Sequence, residues 1–245
     1  MLIDTHCHFN YYNEKEKEIA INKLKENNIK AVVMGTGDNN NQVKELYESN
    51  KEIIIPAYGI YPSSKVRDKI LWKDSNQVLN FIKNNNPSII GEVGLDKTYD
   101  NFEKQKQIFK KVIQISNKLN KPMSIHTRKA EKDVIIMLKK YSKRPSILHC
   151  FSGKMKLAKK AMKLGHYFSI PTNIKRSEHF KNLVRLLKED KILLETDSPF
   201  LSSDRTTNYP HRIIESIPII NKIKCKDMTD IIIKNTKNIL KWNYQ

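Results

Sequence analysis

The chain has 245 residues, of which 39% are hydrophobic and 29% charged, and its formal net charge is +19. This composition excludes an intrinsically disordered chain, and the length lies near the usual size of an eight-fold β/α barrel. No apolar run approaches the roughly 20 residues that a membrane helix needs, and no signal peptide pattern opens the sequence. We therefore expect a cytoplasmic protein with no membrane partner.

The positive charge favours a polyanionic partner such as nucleic acid. Lysine far outnumbers arginine, however, and lysine on helix faces is usually solvated surface, so the charge gives only modest support. Three cysteines, Cys7, Cys150 and Cys225, form neither a close pair nor a Cys-x-x-Cys motif. A disulfide framework and a thiolate zinc finger are therefore not expected. Nothing in the sequence indicates an obligate protein partner.

Short apolar runs alternate with longer segments of helical spacing along the whole chain. The runs predict strands at 1–6, 31–35, 53–60, 88–93, 123–126, 146–149, 167–170 and 191–195. The helical segments between them include 14–28, 101–119, 131–141, 155–164 and 178–188. Such alternation predicts parallel strands joined by right-handed crossovers.

Eight strand–helix units without a linker predict one domain, residues 1–245, of the α/β class, folded as a closed TIM-type (β/α)8 barrel. An open doubly wound sheet is the alternative. No Gly-rich phosphate loop follows any predicted strand, which favours the barrel.

The first predicted strand carries His6 and His8, which an extended chain places on the same face. Two imidazoles side by side are costly to bury unless something binds both, and a divalent metal does so. Taken alone, the pattern also fits an ordinary strand that happens to carry two histidines. The choice between these interpretations depends on the rest of the chain.

Other predicted strands end in residues that suit a metal. They are Glu92, His126, His149 and Asp197, at the ends of strands four, five, six and eight. In a barrel those carboxyl ends converge on one mouth, where barrel enzymes place their chemistry. The remaining histidines occupy ordinary positions: His166 at the start of strand seven on the opposite rim, His179 on an amphipathic helix and His211 in a loop.

Four imidazoles and two carboxylates exceed what one tetrahedral metal uses. They favour two divalent ions with a carboxylate between them, which can activate a water and bind both oxygens of a phosphoryl displacement. The nitrogen and oxygen donors allow zinc, manganese or magnesium, and an imidazole-rich set disfavours calcium.

These residues lie in motifs that run from one end of the chain to the other. The motifs are Asp4-Thr5-His6-Cys7-His8, Gly91-Glu92-Val93-Gly94-Leu95-Asp96, His126-Thr127-Arg128, His149-Cys150-Phe151-Ser152-Gly153 and Glu195-Thr196-Asp197-Ser198-Pro199-Phe200-Leu201, accompanied by Gln105, Phe109 and Asn238. Together they resemble the TatD family of metal-dependent hydrolases, which are deoxyribonuclease-like members of the amidohydrolase superfamily.

The resemblance implies a β/α barrel with a dinuclear centre and assigns its ligands. By this analogy His6, His8 and Asp197 hold one ion, His126 and His149 hold the other, and Glu92 bridges. The resemblance also makes Asp197 the residue that orients or deprotonates the attacking water. The implied reaction is hydrolysis of phosphodiester bonds in DNA, from an end or in single strands.

Departures from the family pattern concern the substrate rather than the metals. The family usually has a Gly-x-His-Pro-His segment after strand three, and here both histidines are replaced, by Tyr61 and Ser63. Tyr61 could donate a hydrogen bond or stack on a base, and Ser63 could reach a phosphate. Arg128 and Arg205 are further candidate phosphate contacts, because a guanidinium binds phosphate bidentately. A salt bridge at the rim is the alternative for Arg128.

Two acidic residues are candidates for orienting ligands rather than binding a metal themselves. Glu195 lies two residues before Asp197, on the same face of an extended chain, and Asp96 closes the strand-four motif. A structural salt bridge is the alternative for Glu195.

Three candidate functions are consistent with these residues. The first is a metal-dependent deoxyribonuclease, and the second is a hydrolase of another ester on the same dinuclear site, such as an aminoacyl-tRNA deacylase. The third is a barrel that binds nucleic acid without cleaving it. A pure binding module has no need of six metal-ligating side chains, so the sequence favours a hydrolase.

Overall fold

Eight parallel strands form the centre of the molecule. The structure is a computed structural model that describes residues 1–63 and 74–241. Each strand pairs with the next along the chain. Their bounds are β1 Leu2–Cys7, β2 Ile29–Met34, β3 Ile54–Ile60, β4 Ile89–Gly94, β5 Met123–His126, β6 Ile147–Leu148, β7 Tyr167–Pro171 and β8 Ile192–Glu195.

The ends of the sheet meet between β1 and the segment after β8. Cys7 and Ser198 form a parallel bridge, and the His8 N–H donates to the Ser198 carbonyl at 2.8 Å. The Asp197 N–H in turn donates to the His6 carbonyl at 2.9 Å. These bonds leave neither β1 nor β8 as a free edge, and the predicted TIM-type (β/α)8 barrel is confirmed.

Helices follow the strands in alternation. Within the described residues they are α1 Glu14–Glu26, α2 Asn40–Ser49, α3 Ser75–Asn85, α4 Phe102–Leu119, α5 Glu131–Tyr141, α6 Met155–Lys163, α7 Glu178–Leu186, α8 Ile217–Lys224 and α9 Thr229–Leu240. Short 3-10 helices occupy Thr172–Lys175, Glu189–Lys191 and Pro210–Ser216. None of the described helices combines the length and apolar character that crossing a membrane requires.

Alternate strand residues enter two separate apolar cores, as the pleat of a strand requires. One core joins strand residues such as Val33 and Ile54 to helix residues such as Leu24 and Val43, so it fills the layer between sheet and helices. The other core lies inside the barrel. It contains Ile3, Val32, Met34, Ile55, Ala57, Ile89, Ile147 and Leu193, with Ile239 and Leu240 at the end of α9.

Candidate metal centre

A register irregularity in β1 aims the first two histidines into the barrel. Asp4 pairs with Ala31 and Cys7 with Val33, so three steps along β1 match two along β2. Such an extra residue is a β-bulge, and it reverses the alternation of faces. Because Cys7 enters the outer core, His6 and His8 point inwards, where they are 0% and 5% exposed. Their Nε2 atoms lie 3.1 Å apart.

A second irregularity, in β4, turns Glu92 inwards. Ile90 pairs with Met123 and Val93 with Ile125, again three steps against two. Ile90 and Val93 both enter the outer core, so without the extra residue Glu92 would face outwards with Ile90. Gly59 of β3 makes room for this bulge, because a Cβ at that position would lie 2.4 Å from the Glu92 backbone.

Glu92 lies between two pairs of imidazoles. Its Oε1 is 3.0 Å from His126 Nδ1 and 2.9 Å from His149 Nε2. Its Oε2 is 3.7 Å from His6 Nε2 and 3.5 Å from His8 Nε2. One carboxylate therefore presents a different oxygen to each pair, which is the arrangement of a bridging ligand.

Asp197 completes the group on the side of His6 and His8. Its Oδ1 lies 3.7 Å from His6 Nε2 and 3.4 Å from His8 Nε2. Asp197 follows β8 in the left-handed region, at φ 52°, which aspartate adopts more readily than most residues. Backbone bonds to the His6 carbonyl and from the Phe200 N–H hold it there. Its side chain is 17% exposed, whereas that of Glu92 is only 3% exposed.

The structure thus brings together all six predicted metal-ligating residues, His6, His8, Glu92, His126, His149 and Asp197, which are called the six-residue cluster below. They come from β1, β4 and β5 and from the segments directly after β1, β6 and β8. Three of the groups that can offer ligand atoms within 4.8 Å of one another are His6–His8–Glu92, Glu92–His126–His149 and His6–His149–Glu195.

Buried polar residues behind the cluster orient its imidazoles. Asp96 Oδ2 is 3.0 Å from His126 Nε2, and Glu195 Oε2 is 3.7 Å from His149 Nδ1. Both acidic residues therefore lie where the sequence placed them as orienting groups. Glu195 also accepts a hydrogen bond from the Cys150 N–H at 2.7 Å, which fixes the turn that carries His149.

Two orienting residues were not foreseen from the sequence. Ser124 Oγ lies 2.9 Å from His6 Nδ1. Asp4 accepts from the N–H groups of His6 and Thr196, at 3.1 and 3.0 Å, and thereby ties the end of β1 to the end of β8. The period-two spacing of Ser124 with His126 and of Asp4 with His6 was the only available signal for either role.

The electrostatics of the cluster favour the metal-binding protonation state of Glu92 and His6, whereas in the absence of an ion His149 shares a proton with its carboxylate neighbours. Burial by itself favours neutral Glu92, but His149 and His126 hold the pKa of Glu92 well below its usual range. Burial, reinforced by His149, holds the pKa of His6 well below its ordinary value. A neutral imidazole and an ionised carboxylate are the metal-binding forms of these side chains. Burial also lowers the pKa of His149, but Glu92 and Glu195 outweigh it and raise that pKa well above the ordinary value.

The four predicted substrate contacts differ in their distance from the cluster and in their exposure. Tyr61 reaches the cluster, with its hydroxyl 3.4 Å from His126 Nε2 and its ring centroid 5.0 Å from that of His126. Ser63 is fully buried, and the chain directly after it lies outside the described residues. Arg128 and Arg205 are exposed, and neither guanidinium has an ion pair or hydrogen bond within residues 1–63 and 74–241. Among these residues Arg128 therefore has no partner for the alternative of a rim salt bridge, and its contact with phosphate stays a prediction.

The donor set fits a divalent metal. Imidazole nitrogens and carboxylate oxygens converge from several strands in a buried space, where four imidazoles crowd together. The rings of His6 and His149 stack at 3.8 Å between centroids. His8 Nδ1 and His149 Nδ1 are buried without a hydrogen-bond partner among the described residues. Such a cluster is suited to binding metal ions and to hydrolysis assisted by them.

Comparison with known proteins agrees with this chemistry. The family described as TatD related DNase matches residues 3–242. "Uncharacterized metal-dependent hydrolase MJ1582" of Methanocaldococcus jannaschii is 35% identical, over 98% of this chain and 96% of that protein. "Deoxyribonuclease TATDN3" of Homo sapiens is 30% identical, over 98% of this chain and 93% of that protein.

Two solved structures share the barrel fold of this chain. The crystal structure of a TatD homolog from Escherichia coli superposes with a TM-score of 0.86 at 21% identity, and covers 99% of this chain and 98% of that chain. A TatD family hydrolase from Entamoeba histolytica gives 0.82 at 18% identity and covers 97% of each chain. The chain belongs to the TatD family of metal-dependent hydrolases.

Proposed function

We propose that the protein hydrolyses phosphodiester bonds of nucleic acid, with DNA as the favoured substrate, and that it acts on single strands from an end. The observation that carries this proposal is the position of Glu92, whose two oxygens each face a pair of imidazoles at 2.9–3.7 Å. A dinuclear site built around one carboxylate suits phosphoryl displacement, in which two oxygens need stabilising at once.

In this proposal His6, His8 and Asp197 hold one divalent ion, His126 and His149 hold a second, and Glu92 contributes to both. Zinc, manganese and magnesium all match the nitrogen and oxygen donors. When bound, such ions supply Lewis-acid stabilisation of phosphoryl oxygens and lower the pKa of a water.

The protein's own residues divide the remaining work. Asp197 orients the attacking water and accepts its proton at Oδ, because it is the cluster carboxylate with exposed surface at the mouth. Glu92 stays ionised and buried, so its role is to bind metal between the two pairs of imidazoles and not to exchange protons with solvent. Tyr61, beside His126, donates its hydroxyl hydrogen to a substrate oxygen.

Support for a nucleic-acid substrate comes from charge and from relatives. The formal net charge of +19 attracts a polyanion, and arginines such as Arg128 and Arg205 remain exposed and unpaired in the described chain. The human relative at 30% identity carries the name deoxyribonuclease.

The test is cleavage of a short single-stranded DNA labelled at one end, with added manganese, zinc or magnesium. We expect activity with at least one ion, its loss in excess chelator by about 1,000-fold or more, and its return when the ion is restored. Activity that is unchanged in excess chelator would contradict the proposal.

A second candidate substrate is an ester such as the bond in aminoacyl-tRNA. The observation that favours it is the replacement of the family's two histidines after β3 by Tyr61 and buried Ser63, which alters the wall that meets the substrate. Comparing kcat/KM on single-stranded DNA and on aminoacyl-tRNA with the same ion decides between them. A higher value on DNA supports the phosphodiesterase, and a higher value on aminoacyl-tRNA supports the deacylase.

A further inference from the structure

A cavity of about 790 Å³ opens next to the six-residue cluster, between the segment after β1 and helix α2. Its volume lies within the range of sites that bind small molecules. Tyr11 lines this cavity, and the Tyr11 ring also packs edge-on against the ring of His8 at 5.7 Å between centroids. Tyr11 therefore lies between the cavity and the cluster and contacts both.

The Tyr11 ring that lines the cavity belongs to an exposed aromatic pair. Tyr11 and Phe200 are 47% and 48% exposed, and their ring centroids lie 5.2 Å apart. Single-stranded nucleic acid is bound in other proteins by bases that stack on exposed aromatic rings of this kind. A base lying against Tyr11 would be separated from His8 only by the Tyr11 ring.

Asn39 lines the cavity and carries a buried hydrogen-bond donor next to it. Its Oδ1 accepts from the Thr36 N–H at 2.7 Å and from the Thr36 hydroxyl at 3.0 Å, which fixes the orientation of the amide. Its Nδ2 is therefore left over, and it is buried without a hydrogen-bond partner in the described chain, on a residue only 4% exposed. A buried donor without a partner is costly, and a ligand carrying an acceptor relieves that cost.

The charges around the cavity decide which part of a nucleotide fits. Asp38, Glu45 and Glu14 line it, and Lys17 pairs with Glu14 at 2.7 Å. Carboxylates without a nearby cation repel a phosphate but accept hydrogen bonds from the amino groups of a base. The cavity is thus suited to a neutral base rather than to the phosphodiester backbone.

We infer that this cavity binds one nucleobase of the substrate strand, adjacent to the phosphate that is cleaved. The base stacks on Tyr11, with Phe200 at its edge, and an acceptor atom of the base receives a hydrogen bond from Asn39 Nδ2. This inference rests on the proposed nuclease function, whose substrate it describes more closely.

The first experiment pairs a protein change with a substrate change. Wild type and Tyr11→Ala are compared on short DNA strands in which each nucleotide in turn is replaced by an abasic analogue. We expect Tyr11→Ala to lower kcat/KM on the complete strand by about 5-fold or more, chiefly through KM. The same variant should cause no further loss on the strand that lacks the base next to the cleaved phosphate.

Two further variants serve as controls. Tyr11→Phe keeps the ring and should lose much less kcat/KM than Tyr11→Ala, whereas Ile136→Ala removes another exposed apolar side chain, on α5, and should leave kcat/KM unchanged. Equal losses for Tyr11→Ala on complete and abasic strands at every position would overturn the inference, because Tyr11 would then act on the cluster and not on a base.

The second experiment does not depend on cleavage. Binding of free nucleosides, which carry no phosphate, is measured by saturation-transfer NMR on wild type, Tyr11→Ala and Asn39→Asp. The last variant keeps the acceptor for Thr36 but removes the donor. Binding that both variants weaken supports the cavity even if the protein cleaves no DNA. Binding that neither variant weakens, or no binding at all, overturns the inference even if the protein is a nuclease.

Discussion

Histidines at the two ends of the barrel differ in their partners although they are buried to similar extents. At the amino end, His166 is 2% exposed, and its Nδ1 accepts a hydrogen bond from the Ser146 N–H at 3.1 Å. At the carboxyl end, His6 and His8 are 0% and 5% exposed, and they face each other and the carboxylate of Glu92. A backbone amide satisfies the first histidine, whereas convergent ligands surround the others.

This difference separates a structural histidine from a functional one better than burial does. A neutral ring that accepts one backbone hydrogen bond can be replaced by another acceptor. Four rings and two carboxylates that meet in one space have one another as their main partners, which is typical of residues that share a bound ligand. The predictions below test this contrast, beginning with the largest effect.

Removing the proposed proton acceptor should have the largest effect. Asp197→Asn keeps the shape of the side chain but not its basicity, and we expect kcat to fall by about 100- to 10,000-fold. The barrel should remain folded, as judged by circular dichroism and thermal unfolding. Asp190→Asn, which changes an aspartate whose side chain is 65% exposed in Glu189–Lys191, is the matched control and should retain full activity. Comparable losses in both variants would refute a special role for Asp197.

Removing an orienting residue should have an intermediate effect. Asp96→Asn weakens the contact that holds His126, at 3.0 Å, and we expect divalent-metal affinity to fall by about 10- to 100-fold. Isothermal titration calorimetry with manganese measures the change. An unchanged dissociation constant would show that Asp96 serves the loop through Thr98 rather than the metal site.

Changing the structural histidine should leave activity intact and alter only the pH dependence of stability. Burial lowers the pKa of His166 to about 4, from an ordinary value of 6.5. Between these values the unfolded chain binds a proton that the folded protein does not, so the contribution of His166 to stability is present above pH 6.5 and is lost as the pH falls towards 4.

The wild-type free energy of unfolding should therefore drop between pH 7 and pH 5 by about 2 kcal/mol more than that of His166→Asn. Urea unfolding at the two pH values measures this difference, and kcat at pH 7 should be equal in both proteins. A parallel pH dependence of the two proteins, or a large loss of kcat, would remove the contrast between the two ends of the barrel.

Much of the fold followed from the sequence because each strand is a short buried run. All eight predicted strands occur, with ends that differ by one or two residues, and the prediction for 131–141 matches α5, Glu131–Tyr141. β6 is the shortest strand, Ile147–Leu148, and His149 lies in the turn after it rather than at its end. The ends of elements depend on hydrogen bonds to neighbouring strands, which apolar periodicity does not report.

The sequence predicted which residues meet at the candidate site but not the way in which the backbone presents them. Plain alternation from Ile90 would point Glu92 away from the barrel axis, and only the bulge in β4 brings it inside. The left-handed conformation of Asp197 is likewise supported by its hydrogen bond to the His6 carbonyl of β1, a contact between distant segments. Pairing register and backbone twist arise between distant segments, and one sequence gives no direct signal of either.

The most direct test of the central claim is a crystal structure of the protein grown with manganese, with diffraction recorded for anomalous scattering. We expect two anomalous peaks at the carboxyl end of the barrel, one beside His6, His8 and Asp197 and one beside His126 and His149, with Glu92 between them. Peaks at other places, or none at saturating manganese, would contradict the account.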